Sequence, residues 1–207
     1  MKKILILLYG IVSYAIFFVV FLYTIGFVAN WMVPKSIDSG SSPSWPQALL
    51  INSFLLGLFA IQHSVMARQG FKKWITQFIP QPAERSTYVL VASLLLTLLF
   101  WQWRPIGAVI WHVENPLGAR LLWGFFGIGW LIVLGATLMI GHFELFGLRQ
   151  VILHAMGQIE TPPQFKAPYL YKFIRHPIML GFLMIFVGKQ VVYTTYMLLH
   201  TTYQPEN

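Results

Sequence analysis

The sequence predicts an all-α fold, a polytopic integral membrane helix bundle with about five transmembrane helices and additional interfacial helices. Of the 207 residues, 57% are hydrophobic and 10% are charged, whereas soluble domains carry about 25% charged residues. The apolar residues form long blocks that match the ~20 residues needed to cross a bilayer. A soluble core of this size could not bury so much apolar surface, so we predict one integral membrane domain over residues 1–207.

Five apolar blocks predict the membrane-spanning segments. In order they cover residues 4–29, 47–66, 88–103, 121–140 and 177–199, the last interrupted by Gly188, Lys189 and Gln190. The first block is longer than the apolar core of a signal peptide, so we expect it to be a retained helix. The fourth block contains Gly124, Gly127, Gly129 and Gly135, which are expected to allow close helix approach.

The connections between these blocks differ in character. Residues 34–46 form a turn-rich loop of Ser, Gly and Pro, and residues 68–85 form a basic loop with a short interfacial helix at 71–78. The longest polar connection covers residues 142–171 and begins with a predicted amphipathic helix at 142–156. Connections of this length are often functional.

The basic residues predict the orientation of the chain. Lys and Arg number 2 in the N-terminus, then 1, 4, 2 and 4 in successive loops. By the positive-inside rule, the N-terminus and the second and fourth loops are cytoplasmic. The formal charge of +8 comes from dispersed residues rather than a basic stripe, so no nucleic acid partner is expected. Cysteine is absent, which excludes disulfides, thiolate metal sites and a cysteine nucleophile.

Polar residues in the second block mark a candidate site. Asn52 and His63 lie eleven residues apart, as do Ser53 and Ser64, and eleven residues return to nearly the same helix face. Such a stripe either faces a functional cavity or only forms hydrogen bonds with neighbouring helices, and both interpretations remain open. His63, near the predicted cytoplasmic end, is the strongest candidate for chemistry.

Other titratable residues are weaker candidates. Imidazole binds metal and haem, so His63, His142, His154 and His176 are candidate ligands. Their spacing matches no specific metal motif, and no metal is expected, although axial haem ligation from the second and fourth blocks remains an alternative. Glu144 and Arg149 are five residues apart and would not face each other on a continuous helix. They are either interfacial charges or part of a site.

The strongest signal is the stretch YLYKFIRHPIMLGF, residues 169–182. Arg175 and His176 directly precede Pro177, which begins an apolar helix. Helix N-termini bind anions, and Pro is favoured at the first helical position. A positive-inside flank with aromatic anchors explains Lys172 and Tyr171 but accounts less well for the Arg-His-Pro sequence.

This stretch resembles a known superfamily. RHPIMLGF at 175–182, preceded by PYLYKFI at 168–174, is similar to the Arg-His-Pro motif of membrane-embedded isoprenylcysteine carboxyl methyltransferase-like enzymes. AIQHSVMAR at 60–68, the block at 84–105 and HFELFGLRQV at 142–151 resemble bacterial methanethiol S-methyltransferases of the nurim-like group. The resemblance covers about residues 50–187.

The resemblance implies a cofactor, a reaction and site residues. S-adenosyl-L-methionine would be held by Arg175 and His176, with Tyr169 and Tyr171 lining the approach, and would methylate a small thiol, converting methanethiol to dimethyl sulfide. His63 and Glu144 fall in the other motif blocks and are the candidate catalytic residues. The expected setting is a bacterial inner membrane, with lipids as partners. The alternatives are methylation of a larger lipophilic thiol or acid, and a non-catalytic nurim-like membrane protein.

The C-terminal part departs from the family pattern. The resemblance places the cofactor-binding part at 142–187 and leaves 188–207 as an atypical tail. Family members continue into another helix and a paired-glutamate motif that completes the cofactor pocket, whereas Glu206 is a lone acid here, and Met179 stands where the superfamily often has Tyr. We expect a truncation or frameshift near Gly188, which would weaken cofactor binding.

Overall fold

A computed structural model describes residues 2–41, 43–106, 113, 115–158 and 169–201, excluding the side chains of Tyr169 and of residues 190–201. The helices are α1 Lys2–Ala29, α2 Trp45–Met66, α3 Gln69–Ile75, α4 Glu84–Gln102, α5 Pro116–Ile140, α6 His142–Leu145, α7 Leu148–Met156 and α8 Pro177–Thr201. Short 3-10 turns cover Gln81–Ala83 and Tyr169–Lys172. No strand occurs among these residues, which confirms the all-α prediction.

Four helices of the described chain are long and apolar enough to cross a membrane. They are α1, α2, the Gln81–Gln102 helix that includes α4, and α5, judged by length and composition. The apolar Pro177–Lys189 part of α8 is shorter, and the α8 backbone continues to Thr201, through the predicted interruption of the apolar stretch at Gly188, Lys189 and Gln190. Glu206, in the predicted atypical tail, lies outside the described residues.

Two helix boundaries differ from prediction because of local backbone chemistry. α5 begins at Pro116, before the predicted start, because the Asn115 side chain accepts hydrogen bonds from the backbone N–H groups of Leu117 (2.8 Å) and Gly118 (3.3 Å). The predicted single helix at 142–156 is two helices, α6 and α7. Gly147 separates them with φ +85°, a left-handed conformation that glycine tolerates best.

α5 and α8 form the closest helix pair in the bundle. A Cβ placed on Gly129 would lie 2.7 Å from the carbonyl oxygen of Gly181, and one on Gly188 would lie 2.6 Å from the Phe126 nitrogen. The expectation of close approach is therefore correct for Gly129. It is wrong for the other glycines predicted to act in this way, because nothing lies within 4 Å of a Cβ at Gly124, Gly127 or Gly135.

α4 packs between α1 and α2 around an aromatic core. The buried cluster contains Val20, Phe27, Leu55, Leu99 and Phe100, and the rings of Phe27 and Phe100 have centroids 4.6 Å apart. This core fixes the three helices in an alternating up-and-down arrangement. The C-terminal end of α2 therefore lies beside the N-terminal end of α4.

An ion pair connects α8 to the loop between α1 and α2. Lys189 Nζ lies 3.3 Å from Asp38 Oδ2, and both side chains are less than one-fifth exposed. The sequence indicated that Lys189 carries a charge into an apolar helix, and the structure shows its partner. A half-buried charge needs such a partner because burying it alone is costly.

One end of the bundle gathers the termini that carry the predicted site residues. The start of α1 contacts the start of α4 through a 2.9 Å hydrogen bond between the hydroxyls of Tyr9 and Thr87. Gly10 packs directly against Val151 of α7. Gly181, near the start of α8, packs against Val133 in the second half of α5. These contacts place the start of α1, the start of α4, α7 and the start of α8 at one end of the bundle.

Candidate active site at one end of the bundle

His63 lies at the α2–α4 contact and has a defined orientation. Its Nδ1 is 2.8 Å from the hydroxyl of Tyr88, and that hydroxyl is also 3.4 Å from the His63 backbone carbonyl. The Phe59 ring, one turn earlier on α2, stacks on the imidazole with centroids 5.3 Å apart. The side chain remains exposed. His63 is therefore held in place on one side and accessible on the other.

One proton arrangement satisfies both contacts of Tyr88. Nδ1–H donates to the Tyr88 oxygen, and the Tyr88 hydroxyl donates to the His63 carbonyl. The tautomer of a histidine is set by the hydrogen bond that one ring nitrogen makes. In this arrangement Nε2 keeps its lone pair and makes no hydrogen bond within the described chain. A neutral imidazole of this kind can accept a proton.

The polar stripe predicted on α2 divides into residues with different roles. Asn52 is 3% exposed, and its side chain amide makes two hydrogen bonds with the Arg104 backbone, donating to the carbonyl at 2.7 Å and accepting from the N–H at 3.0 Å. Ser53 and Ser64 are exposed. Asn52 therefore follows the interpretation of hydrogen bonding to a neighbouring segment, and the two serines do not face the interior.

His142 is buried among aromatic rings between α1 and α5. It is 9% exposed, and its Nε2 is 2.9 Å from the Tyr14 hydroxyl while its Nδ1 is 3.0 Å from the Thr137 hydroxyl. Phe146 packs edge-on against the imidazole at 4.8 Å between centroids. Both ring nitrogens are occupied by protein groups, so neither is free to bind a metal in this arrangement. Burial lowers the pKa of His142, which favours the neutral ring.

Glu144 and Arg149 form an ion pair. The sequence predicted that they would not face each other, and this is wrong because the helix breaks at Gly147 and α7 starts in a new direction. The Glu144 side chain is 19% exposed and that of Arg149 42%. Gln150 also donates to the Glu144 carbonyl at 3.2 Å. The carboxylate is thus held in place, with the guanidinium partly accessible.

The Arg-His-Pro sequence forms the start of α8. Arg175 and His176 are exposed, Pro177 is fully buried, and the His176 carbonyl accepts the first helical hydrogen bond, from Leu180 N–H at 3.1 Å. Tyr171 is half-buried in the preceding turn, and burial raises the pKa of its hydroxyl. The side chain of Tyr169 lies outside the described residues. Arg175 and His176 therefore stand at the helix N-terminus, where the first backbone N–H groups have no partner within the helix.

The structure places these residues at one end of the bundle but in separate clusters. His63 lies on the α2–α4 contact, Glu144 lies in α6, and Arg175 lies just before α8. Among the residues that the structure describes, no hydrogen bond or ion pair joins one cluster to another, and no group of three potential metal ligands occurs. Sequence reasoning missed Tyr88 and Tyr14. The antiparallel order of α2 and α4 was the available signal for Tyr88.

Comparison with known proteins identifies close relatives. The chain is 56% identical over 190 residues to Methanethiol S-methyltransferase 1 of Bradyrhizobium diazoefficiens, spanning 92% of this chain and 67% of that one. It is 54% identical over 186 residues to Methanethiol S-methyltransferase of Mycobacterium tuberculosis, spanning 90% and 76%. Nurim of Mus musculus is 30% identical over 164 residues, spanning 70% and 62%. No protein-family model matches the chain, and no solved structure does.

Proposed function

This chain belongs to the methanethiol S-methyltransferase family, and we propose that it transfers a methyl group from S-adenosyl-L-methionine to methanethiol, giving dimethyl sulfide. The observation that carries the proposal is the imidazole of His63, which is oriented by Tyr88 and makes no Nε2 hydrogen bond among the described residues, at the bundle end where Arg175 and His176 precede α8. That end carries a proton acceptor and an anion site, in separate clusters. Identity near 55% to named methyltransferases, against 30% to Nurim, favours the catalytic alternative.

The residues at the start of α8 fit the anionic part of the cofactor. Arg175 and His176 are exposed beside the helix N-terminus, where backbone N–H groups and the helix dipole favour a carboxylate. We assign these two residues to carboxylate binding and Tyr171 to the approach, with Tyr169 as its predicted neighbour. When bound, the cofactor supplies a methyl group activated on a sulfonium sulfur.

His63 is assigned to removal of the thiol proton. Its Nε2 lone pair accepts the proton as the thiol sulfur becomes nucleophilic, and Tyr88 stabilises the resulting imidazolium orientation through Nδ1. The cofactor's methyl group would form the new S–C bond at the thiol sulfur as its bond to the sulfonium sulfur breaks, S-adenosylhomocysteine would leave, and the proton would pass from His63 to water. General-base assistance of this kind contributes about 10²–10⁴-fold to rate. Placing a charged nucleophile away from bulk water also favours a transfer that neutralises two opposite charges.

Glu144 is assigned to positioning rather than to proton transfer. Its carboxylate already binds the Arg149 guanidinium, so its role in this proposal is to hold that partly exposed cation at the site. The two candidate catalytic residues, His63 and Glu144, are therefore assigned different roles, one as a base and one as an orienting carboxylate. Residues 142–187 together form the proposed cofactor-binding part.

The proposed setting is a bacterial inner membrane with the site facing the cytoplasm. The distribution of Lys and Arg supports a cytoplasmic N-terminus. The clusters around His63, Glu144 and Arg175 share the end of the bundle where α1 begins. Water-soluble S-adenosyl-L-methionine enters from that side, while an apolar thiol reaches the site from the lipid.

One assay separates the proposed function from its alternatives. Membranes containing the protein are incubated with methyl-labelled S-adenosyl-L-methionine and methanethiol. Labelled dimethyl sulfide in the headspace is the expected result. Label in extracted lipid would instead indicate a larger lipophilic acceptor, and absence of both transfer and cofactor binding would indicate a non-catalytic protein.

The assignment of His63 is tested by substitution and pH. We expect His63→Ala to lower turnover at neutral pH by about 10²-fold, with a smaller deficit at higher pH because the thiol then ionises without help. Ser64→Ala, a substitution of the exposed next residue on α2, serves as the matched control. Unchanged turnover of His63→Ala at neutral pH would exclude a base at this position.

A further inference from the structure

His142 is the most completely partnered polar side chain at the candidate site, and its proton positions follow from the network. The Thr137 hydroxyl donates to the Leu134 carbonyl at 2.7 Å, so it can only accept from His142, which places a proton on Nδ1. Nε2 then accepts a hydrogen bond from the Tyr14 hydroxyl. The ring is a neutral connector between α1 and α5, with no lone pair left for a substrate.

The same histidine begins the short segment that carries Glu144. It follows Gly141, whose φ of +99° turns the chain out of α5, and Glu144 stands two residues later in α6. Because α6 has only four residues, it has little helical stability of its own. Its orientation depends on the side chain contacts made at its ends.

The far end of this segment is fixed by α4. Gly147 packs so closely on α4 that a Cβ there would lie 2.7 Å from the Ser86 backbone nitrogen. Ser86 is completely buried, and its hydroxyl donates to the Gly147 carbonyl at 3.4 Å. The segment is therefore held at both ends, by His142 and by Gly147. Glu144 lies between these two residues, and its partner Arg149 lies two residues after Gly147.

We propose that His142, through its hydrogen bonds to Tyr14 and Thr137, is a positioning residue that fixes the 142–150 segment and thereby places Glu144 and Arg149 for the methyl-transfer reaction. The inference rests on the proposed function for its kinetic consequence, but not for its structural one. His142 touches no substrate in this scheme.

The structural consequence is tested without activity, by amide hydrogen exchange of the purified protein in a membrane mimetic. Tyr14→Phe keeps the ring and removes the bond to Nε2, so exchange in residues 142–150 is expected to rise about tenfold. Tyr23→Phe is the matched control, because it is the same substitution on the same helix and removes a 2.8 Å bond to the Lys35 carbonyl. Equal exchange of 142–150 in both variants would overturn the proposal.

The kinetic consequence is tested by a double-mutant cycle with Glu144→Gln. Tyr14→Phe alone is expected to lower kcat by about tenfold, and to lower it no further in the Glu144→Gln background, while its effect on thermal stability persists. If Tyr14→Phe lowers kcat by the same factor with and without Glu144→Gln, His142 does not act through Glu144, and the kinetic part of the proposal is overturned. Absence of dimethyl sulfide from the unsubstituted protein would refute the proposed function, and hydrogen exchange would still decide the positioning of the segment.

Discussion

Gly129 is the position at which one added methyl group should move the candidate cofactor site. Gly129→Ala places a Cβ 2.7 Å from the Gly181 carbonyl oxygen and 2.9 Å from the Ile185 backbone nitrogen. Both are backbone atoms of α8, so neither can move aside as a side chain tip would. The helix that begins after Arg175 and His176 must shift to accept the substitution.

The size of the effect follows from these distances. Ordinary van der Waals contact begins near 3.4 Å, so α8 must move by about 0.7 Å, the difference between 3.4 and 2.7 Å. Overpacking of this kind lowers the free energy of unfolding by about 1–3 kcal/mol. We expect a cost toward the upper end of this range, because the contacted atoms belong to the backbone. A misplacement of ~1 Å can reduce turnover about 10²-fold, so we expect a loss of about tenfold or more.

The matched control is Gly127→Ala. Gly127 lies on the same helix with nothing within 4 Å of its Cβ position, so both variants gain the same helix propensity and differ only in packing. In thermal unfolding of the purified proteins, Gly129→Ala should melt roughly 5–10 °C below Gly127→Ala. Headspace dimethyl sulfide should fall for Gly129→Ala alone. Equal melting temperatures and equal activity for the two variants would refute the α5–α8 packing described above.

Three further predictions concern stability. Asn52→Ala removes both hydrogen bonds to the Arg104 backbone and should cost about 1–3 kcal/mol in denaturant unfolding; a cost near zero would contradict a structural role. Lys189→Met leaves Asp38 without its cation and should lower the free energy of unfolding by more than the ~1 kcal/mol of an exposed pair. Adding Asp38→Asn to the same chain should restore part of that stability, and no restoration would argue against the ion pair. Burial lowers the pKa of His142 in the folded protein, so on acidification the unfolded chain binds the proton first, and stability present above about pH 6.5 is lost as the pH falls below it. His142→Phe should flatten that decline between pH 7 and 5, and an unchanged slope would assign it to other groups.

The sequence predicted the membrane-spanning helices well because their length and apolar composition are properties of each segment alone. The helix break at Gly147 was missed because it depends on close packing against Ser86, which is distant in the sequence. The glycines of α5 illustrate the same limit. The sequence does not distinguish these four glycines, and only the path of α8 brings its backbone against Gly129.

The site was predictable as a set of residues but not as a set of contacts. The motif blocks pointed to His63 and Arg175, yet the partner of each candidate depends on how neighbouring helices are rotated and aligned. Tyr88 binds His63 because α2 and α4 are antiparallel and in register at that level. The Glu144–Arg149 pair formed because a chain reversal replaced a continuous helix.

The two polar contacts of α2 together restrict how this helix can turn about its own axis. Most of its surface is exposed, with Leu50 72% and Phe54 68% accessible, so apolar packing sets its azimuth weakly. Asn52 binds the Arg104 backbone, just beyond the end of α4, and His63 binds Tyr88 near the start of α4. The two residues are three helical turns, or about 16 Å, apart on one line of α2. Rotation of α2 would break both contacts at once. Asn52 therefore helps to fix the direction in which the His63 imidazole points, because it restricts rotation of the helix that carries both residues.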